Sequence, residues 1–132
     1  GAEGGCQAEC GVASAMAAGA IVHLMGGSNQ QVFEAASLAL QSHLGLVCDP
    51  LASLVEVPCV TRNATSATNA IVAANMAMAG IPAVVPYDET VVAMKAIGKA
   101  MPESLRETSQ GGLATTPTGQ RIFAEMRRTH KL

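Results

Sequence analysis

The chain has 132 residues, a net charge of −2 and a pI of about 5.9, so no basic surface indicates nucleic acid binding. Charged residues make up only 14% of the sequence and hydrophobic residues 49%, whereas roughly 25% of a typical soluble domain is charged. This composition fits one domain with its own core and predicts that another domain or subunit covers part of the surface. We expect a homo-oligomer with no nucleic acid partner.

The first two predicted elements are helices joined by a short turn. The first covers about residues 7–25 and ends at Gly26 and Gly27, since glycine commonly stops a helix. Ser28 is expected to cap the second, over about residues 29–45. The apolar stretch 12–25 is too short to span a bilayer, and the sequence shows no secretory signal. A soluble, cytoplasmic protein with no membrane partner is therefore expected.

An irregular segment, residues 46–63, follows and carries Cys48, Pro50, Pro58 and Cys59. Its middle, residues 51–57, is expected to form a short helix or turn. The third helix is predicted over about 65–79, and two prolines make residues 81–86 extended. Asp88 should cap a fourth helix over 89–101. A loop rich in Ser, Thr and Gly then leads to a charged, solvent-exposed last helix from about residue 118.

The fold class predicted from these elements is all-α. The sequence has no internal repeat, no alternating strand pattern and no sustained heptads. We expect an irregular bundle of about five helices with a cysteine-bearing connecting segment, forming a single domain over residues 1–132. The chain begins with a motif-like stretch at Gly1, which suggests a piece of a longer protein.

Three of the four cysteines stand at the edges of helical segments beside Gly or Pro. These are Cys6, Cys48 and Cys59. In a reducing cytosol such cysteines are more often metal ligands or reactive thiols than disulfides. Their spacing matches neither a zinc ribbon nor a ferredoxin, and packing as small apolar side chains is the alternative. Cys10 follows Cys6 by one helical turn and is either a fourth ligand or a packed core thiol; we favour packing.

Four stretches of the sequence resemble, in order, the iron–sulfur-dependent bacterial L-serine dehydratases. They are residues 1–9 (GAEGGCQAE), 46–50 (LVCDP), 57–63 (VPCVTRN) and 108–114 (TSQGGLA). The resemblance is to the C-terminal part of the α chain, or of the catalytic domain in single-chain forms, and covers essentially the whole sequence. It implies that Cys6, Cys48 and Cys59 carry a [4Fe–4S] cluster, that Cys10 is not a ligand, and that no pyridoxal phosphate is used.

The resemblance also implies a reaction, the conversion of L-serine to pyruvate and ammonia. The iron without a cysteine would act as a Lewis acid on the substrate hydroxyl, as in aconitase-type dehydration. The N-terminal motifs and the β domain of the family are absent from this sequence, so the general base is unknown and the chain alone is expected to be inactive. Two alternatives stay open: a related hydro-lyase acting on another small hydroxy or amino acid, and a non-catalytic helical interaction domain with buried cysteines.

Arg62 and Asn63 are the candidate substrate-binding residues because they directly follow Cys59. A guanidinium there could bind the serine carboxylate through two hydrogen bonds. The alternative is that Arg62 begins the third helix and Asn63 caps it.

Other polar residues have less specific interpretations. Glu3 and Glu9 flank Cys6 and are either bases or solvated surface groups. His23 is expected to be a satisfied core residue, His43 to stabilise a helix end, and His130 to lie in a fraying tail.

Overall fold

The computed structural model describes residues 1–130, and of His130 only the backbone. It contains five α-helices: α1 (Cys10–Leu24), α2 (Asn29–Gln41), α3 (Cys59–Met78), α4 (Tyr87–Ala100) and α5 (Pro117–His130). Short 3-10 turns lie at Cys6–Ala8, Leu51–Ser53, Glu103–Leu105 and Gly112–Thr115. Residues 1–130 contain no β-strand, only one isolated bridge between Cys48 and Arg106. The all-α prediction is confirmed.

The core lies between α1, α2 and α3 and is built mainly from alanine. Its buried members are Ala15, Ala18, Val22, Ala35, Ala39, Leu40, Ala70, Ala73, Ala74 and Ala77. Small side chains let the helix backbones approach closely: a Cβ added at Gly19 of α1 would lie 3.2 Å from Cγ1 of Val32 in α2. Helix α4 packs on α2, and α5 packs against the turns at Leu51–Ser53 and Gly112–Thr115.

The start of α2 is as predicted. The Ser28 hydroxyl accepts a hydrogen bond from the Gln31 amide at 3.2 Å, and the Gln31 side chain accepts one from the Ser28 amide at 2.9 Å. This reciprocal capping box satisfies two of the free amides at the helix end. The prediction for Asp88 is wrong, because α4 begins at Tyr87 with Pro86 at the cap position. Asp88 lies instead in the first turn, where a carboxylate is favourable near the positive end of the helix dipole.

Helix α3 begins at Cys59, six residues earlier than expected, directly after a cis peptide bond between Val57 and Pro58. Arg62 and Asn63 therefore lie inside α3, and the alternative that they begin and cap this helix is wrong. The β-branched and polar residues of this stretch predict a linker. Long-range contacts of this stretch, such as the hydrogen bond from the Cys10 thiol to Asn63 Oδ1 at 3.4 Å, favour a helix instead.

The two described histidine side chains differ in burial. His23 is exposed, so its assignment to the core is wrong. Helix α1 is apolar on all sides, and its periodicity could not show which side faces the core. His43 is buried just after α2, with Nδ1 2.8 Å from the Ala39 carbonyl in the last turn of that helix, as expected for a residue that stabilises a helix end. His130 has no described side chain. Among the described residues, no helix is long and apolar enough to cross a membrane.

Candidate functional site

The four cysteines meet at one end of the bundle, although they come from three separate segments. Cys6, Cys10 and Cys48 are buried together with Leu46 packed against them. Cys59 is half-buried at the start of α3, near enough to Cys6 for a Cys6 thiolate to raise its pKa. The three predicted ligands, Cys6, Cys48 and Cys59, are thus brought into one neighbourhood with Cys10.

The turn that carries Cys6 is fixed by its two neighbours. Gly5 has a φ of 74°, and a Cβ there would lie 2.8 Å from the Leu46 carbonyl oxygen. Gln7 is fully buried, and its Nε2 donates to the carbonyls of Gly4 and Met94, both at 2.9 Å. Its Oε1 accepts a hydrogen bond from the Gly45 amide at 3.0 Å. Gln7 therefore fastens the Cys6 turn both to α4 and to the segment that leads to Cys48.

The Cys48 backbone is held on both sides. Its amide donates to the Leu105 carbonyl at 2.9 Å, and its carbonyl accepts from the Glu107 amide at 2.8 Å. Glu107 has a φ of 70° and follows the bridge residue Arg106. These bonds join the Cys48 segment to a part of the chain more than fifty residues away, which orients the thiol from outside its own loop.

Asp49 connects the Cys48 segment to α3. Its carboxylate is only 3% exposed and accepts a 2.7 Å hydrogen bond from Arg62 Nη1 and another 2.7 Å bond from the Leu113 amide. Arg62 Nη1 also donates to the Val47 carbonyl at 3.0 Å. Gly112, with a φ of 60°, lies so close that an added Cβ would be 2.3 Å from Asp49 Oδ2. One buried carboxylate thus joins three segments around the cysteines.

Asn63 reaches the thiols from α3. Its Oδ1 accepts a hydrogen bond from the Cys10 thiol at 3.4 Å, while Cys6 and Cys10 are in sulfur–sulfur contact at 3.3 Å. Asn63 is itself solvent-exposed. The two candidate substrate-binding residues are therefore separated in role: Arg62 is anchored to Asp49, and Asn63 lies at the surface of the cysteine cluster.

Burial and nearby negative charge disfavour thiolates at this site. Burial, then the charge of Glu107, raises the pKa of Cys48 from 9.0 to about 11. Burial and the hydrogen bond with Cys6 raise the pKa of Cys10 to about 11 as well. Burial also raises the pKa of Cys59, against the lowering effect of the Arg62 guanidinium. The protons on these thiols would have to leave before the sulfurs could bind a metal.

Among the described residues, no group of three His, Cys, Asp or Glu side chains is arranged to hold one metal ion. Thiolates are the protein ligands of iron–sulfur clusters, and in a four-iron cluster each thiolate binds a different iron. The three predicted ligands are thiols from separate segments: Cys6 and Cys48 are buried together, and Cys59 is half-buried. Their residue type therefore fits the donors of such a cluster.

A pocket of about 390 Å³ adjoins the cysteines. Its lining consists of Ser42, His43, Leu44, Gly45, Leu46, Arg62, Thr65 and Ser66. Leu46 belongs to this lining and also packs against the three buried cysteines. In the described part of the chain, both hydrogen bonds of the Arg62 guanidinium come from Nη1. Arg62 lines this pocket, and the rest of its guanidinium has no hydrogen bond to the described residues.

The sequence did not single out Gln7 or Asp49 as site residues. Each directly follows a predicted ligand, Cys6 or Cys48, and each is a buried polar residue. The only sequence signal for their role was a polar side chain next to a predicted ligand. Gln7 bonds to Met94, 87 residues away, and Asp49 bonds to Leu113, 64 residues away, so the sequence alone could not show these contacts.

Comparison with known proteins places this site in a family. The family described as serine dehydratase alpha chain matches residues 1–114. The chain belongs to the serine dehydratase alpha-chain family. It is 60% identical over 122 residues to the probable L-serine dehydratase alpha chain of Bacillus subtilis, and 56% identical over 122 residues to the L-serine dehydratase alpha chain of Peptoniphilus asaccharolyticus. It is 50% identical over 117 residues to the L-serine dehydratase of Helicobacter pylori.

These matches cover 92%, 92% and 88% of the chain, but only 41%, 42% and 26% of the three relatives. The chain thus spans less than half the length of these serine dehydratases. The region that matches the family contains the three predicted ligands as well as Arg62 and Asn63, whereas α5 lies beyond it.

Proposed function

We propose that the chain is the cluster-bearing part of an L-serine dehydratase, which converts L-serine to pyruvate and ammonia. The observation that carries this proposal is the convergence of Cys6, Cys48 and Cys59 from three segments of a chain in the serine dehydratase family. These three thiols would hold a [4Fe–4S] cluster, and Cys10 would pack beside it. When bound, the cluster supplies a Lewis acid that makes the substrate hydroxyl a better leaving group.

The substrate would bind between the cysteines and the adjoining pocket. Arg62 would hold the serine carboxylate through the N–H groups that Asp49 and Val47 do not occupy. Asn63 would offer its side-chain amide nitrogen, since its oxygen is already directed at Cys10. The buried ion pair with Asp49 keeps the guanidinium from rotating freely. The side chain therefore loses less conformational entropy when the substrate binds.

The partners of this chain would be the regions of its longer relatives that lie outside the match, an N-terminal part of the α chain and a β domain or subunit. The apolar outer face of α1 supports this proposal, since a helix that is apolar on all sides is normally buried. These regions would supply the general base, so the chain alone would bind the cluster without turning over serine.

Anaerobic reconstitution with iron and sulfide tests the ligand set. Iron per chain and visible absorption should show one four-iron cluster, which Cys6→Ser, Cys48→Ser and Cys59→Ser each lose. Cys10→Ser is the matched control and should keep its iron. Loss of iron in Cys10→Ser would make Cys10 a ligand, and no cluster in the unmodified protein would refute the metal assignment.

Arg62→Lys tests the substrate assignment. In the enzyme assembled with the missing regions, this variant should raise the KM for L-serine about tenfold or more while its iron content stays unchanged, since lysine lacks the planar pair of donors. Pyruvate release from L-serine, L-threonine and their D isomers gives the measurement. An unchanged KM would remove Arg62 from the substrate site.

A further inference from the structure

The closest sulfur pair of the cysteine cluster joins one predicted ligand to the cysteine outside the ligand set. Cys6 and Cys10 are both buried, and their sulfurs lie 3.3 Å apart. We propose that in the cluster-free protein a peroxide oxidises these two thiols to a Cys6–Cys10 disulfide. Formation of this bond does not depend on the proposed catalytic function, although its consequence for the cluster does.

The backbone between these two cysteines is not a regular helix. In a continuous α-helix the Cβ atoms of residues four apart are ~5–6 Å apart, whereas a disulfide requires about 3.8 Å. Cys6 instead lies in a 3-10 turn and Cys10 begins α1, with Glu9 between them at φ −107° and ψ −77°. An S–S bond is about 2.05 Å long, so the sulfurs, now 3.3 Å apart, must approach by about 1.3 Å.

The other thiols are less well placed to compete for Cys6. Among the described residues, the only hydrogen bond between two cysteine thiols is the one from Cys6 to Cys10. The Cys48 backbone is fastened at both its amide and its carbonyl. Cys59 begins a helix whose Arg62 is tied to Asp49. In the described part of the chain, neither of these residues has a contact between its sulfur and that of Cys6, whereas Cys10 does.

The chemistry balances with one peroxide molecule for each disulfide. One thiol first loses its proton, a step that burial disfavours. The resulting thiolate attacks the peroxide O–O bond, forming a sulfenic acid and releasing hydroxide, which takes up that proton to give water. The second thiol attacks that sulfenic sulfur, so that the S–S bond forms and a second water leaves. Two thiols are oxidised by two electrons in all, and hydrogen peroxide is reduced to two water molecules. Hydrogen peroxide is small enough to reach buried sulfurs that larger oxidants cannot.

The disulfide would hold Cys6 in a reversible state. Further oxidation of a sulfenic acid gives a sulfinic acid, which thiols do not reduce, whereas a disulfide is restored by thiol exchange. If Cys6 is a cluster ligand, the bond both withholds it from iron and protects it. Cys10 would then act as the resolving thiol for Cys6.

The positions of the glutamates make the bond directly measurable. Cleavage after Glu3, Glu9, Glu34, Glu56 and Glu89 places the four cysteines on four fragments, residues 4–9, 10–34, 35–56 and 57–89. Cluster-free protein would be treated with hydrogen peroxide, its free thiols alkylated under denaturing conditions, and the fragments weighed without reduction. We expect fragments 4–9 and 10–34 as a linked pair, lighter by two hydrogens than their sum and separated by dithiothreitol.

Two serine variants provide the controls, with circular dichroism to verify that each folds. Cys10→Ser should lose the linked pair and accumulate Cys6 sulfinic acid, whereas Cys59→Ser should keep the pair. Because iron is absent throughout, the outcome is independent of whether the chain binds a cluster. Linkage of Cys6 mainly to Cys48 or Cys59, or conversion of Cys6 to sulfinic acid in the unmodified protein without a linked pair, would overturn the proposal.

Discussion

At the scale of single residues, Asp49 does most to shape the site. Its buried carboxylate holds Arg62 and the Leu113 amide at 2.7 Å each. Asp49→Asn keeps the size of the side chain but removes its charge and replaces one acceptor oxygen by a donor. The variant should be less stable by about 2–4 kcal/mol, because the guanidinium loses its counter-charge and either Arg62 or the Leu113 amide loses its acceptor. Urea unfolding followed by circular dichroism measures this difference.

Asp88→Asn is the matched control for this change. Asp88 is exposed in the first turn of α4, where losing the carboxylate should cost no more than about 1 kcal/mol. Equal losses of unfolding free energy in the two variants would show that the buried contacts of Asp49 contribute no more to stability than an exposed carboxylate does.

The sequence draws attention to the cysteines but not to the residues that position them. Cys6, Cys48 and Cys59 stand out by residue type and by their Gly and Pro neighbours. Asp49 and Gln7 have their deciding partners 64 and 87 residues away, and no local pattern encodes such a pairing. Arg62 was singled out for a substrate, and its ion pair to Asp49 appears only in the fold.

At the scale of elements, sequence patterns predicted the start of a helix where the contacts that fix it lie close together in the sequence. The start of α2 was predictable because Ser28 and Gln31 cap each other three residues apart. The start of α3 was not predictable, because the polar stretch before residue 65 becomes helical through contacts with α1, such as that between Cys10 and Asn63. The apolar residues of α1 likewise predicted a helix but not its buried side, and this placed His23 wrongly.

The capping box makes a quantitative prediction for α2. Ser28→Ala removes the acceptor for the Gln31 amide, so the free energy of unfolding should fall by about 1 kcal/mol. Ser28→Asp restores an acceptor and should stay within about 0.5 kcal/mol of the unmodified protein. Urea unfolding curves of the three proteins give the comparison. An alanine variant as stable as the aspartate variant would mean that tertiary packing alone fixes the start of α2.

At the scale of the whole molecule, α1 has two apolar faces. One face packs in the core, and the other exposes apolar residues beside one histidine: Ala13, Met16, Ala17, Ala20, His23 and Leu24. The exposed fractions are 70% for Met16 and 84% for Leu24, and α1 contains no Asp, Glu, Lys or Arg. The low overall charge of the sequence anticipated a covered surface, but only the packing of α1 on α2 and α3 shows which surface it is. Contiguous exposed apolar residues of this kind mark interaction sites or cause association.

Met16→Lys tests whether this face drives association. The chain alone should self-associate as its concentration rises, and Met16→Lys should weaken that association, since a charge on the contact face must be desolvated. Val84→Lys is the matched control, because Val84 is 89% exposed in the loop before α4 and its replacement changes the net charge equally. Sedimentation velocity over a range of concentrations measures both variants. Equal weakening of association by the two lysines would attribute it to net charge. An unmodified chain that stays monomeric at all concentrations would contradict the prediction that the outer face of α1 causes association. Weakening by Met16→Lys alone identifies that face as the surface through which copies of the chain associate.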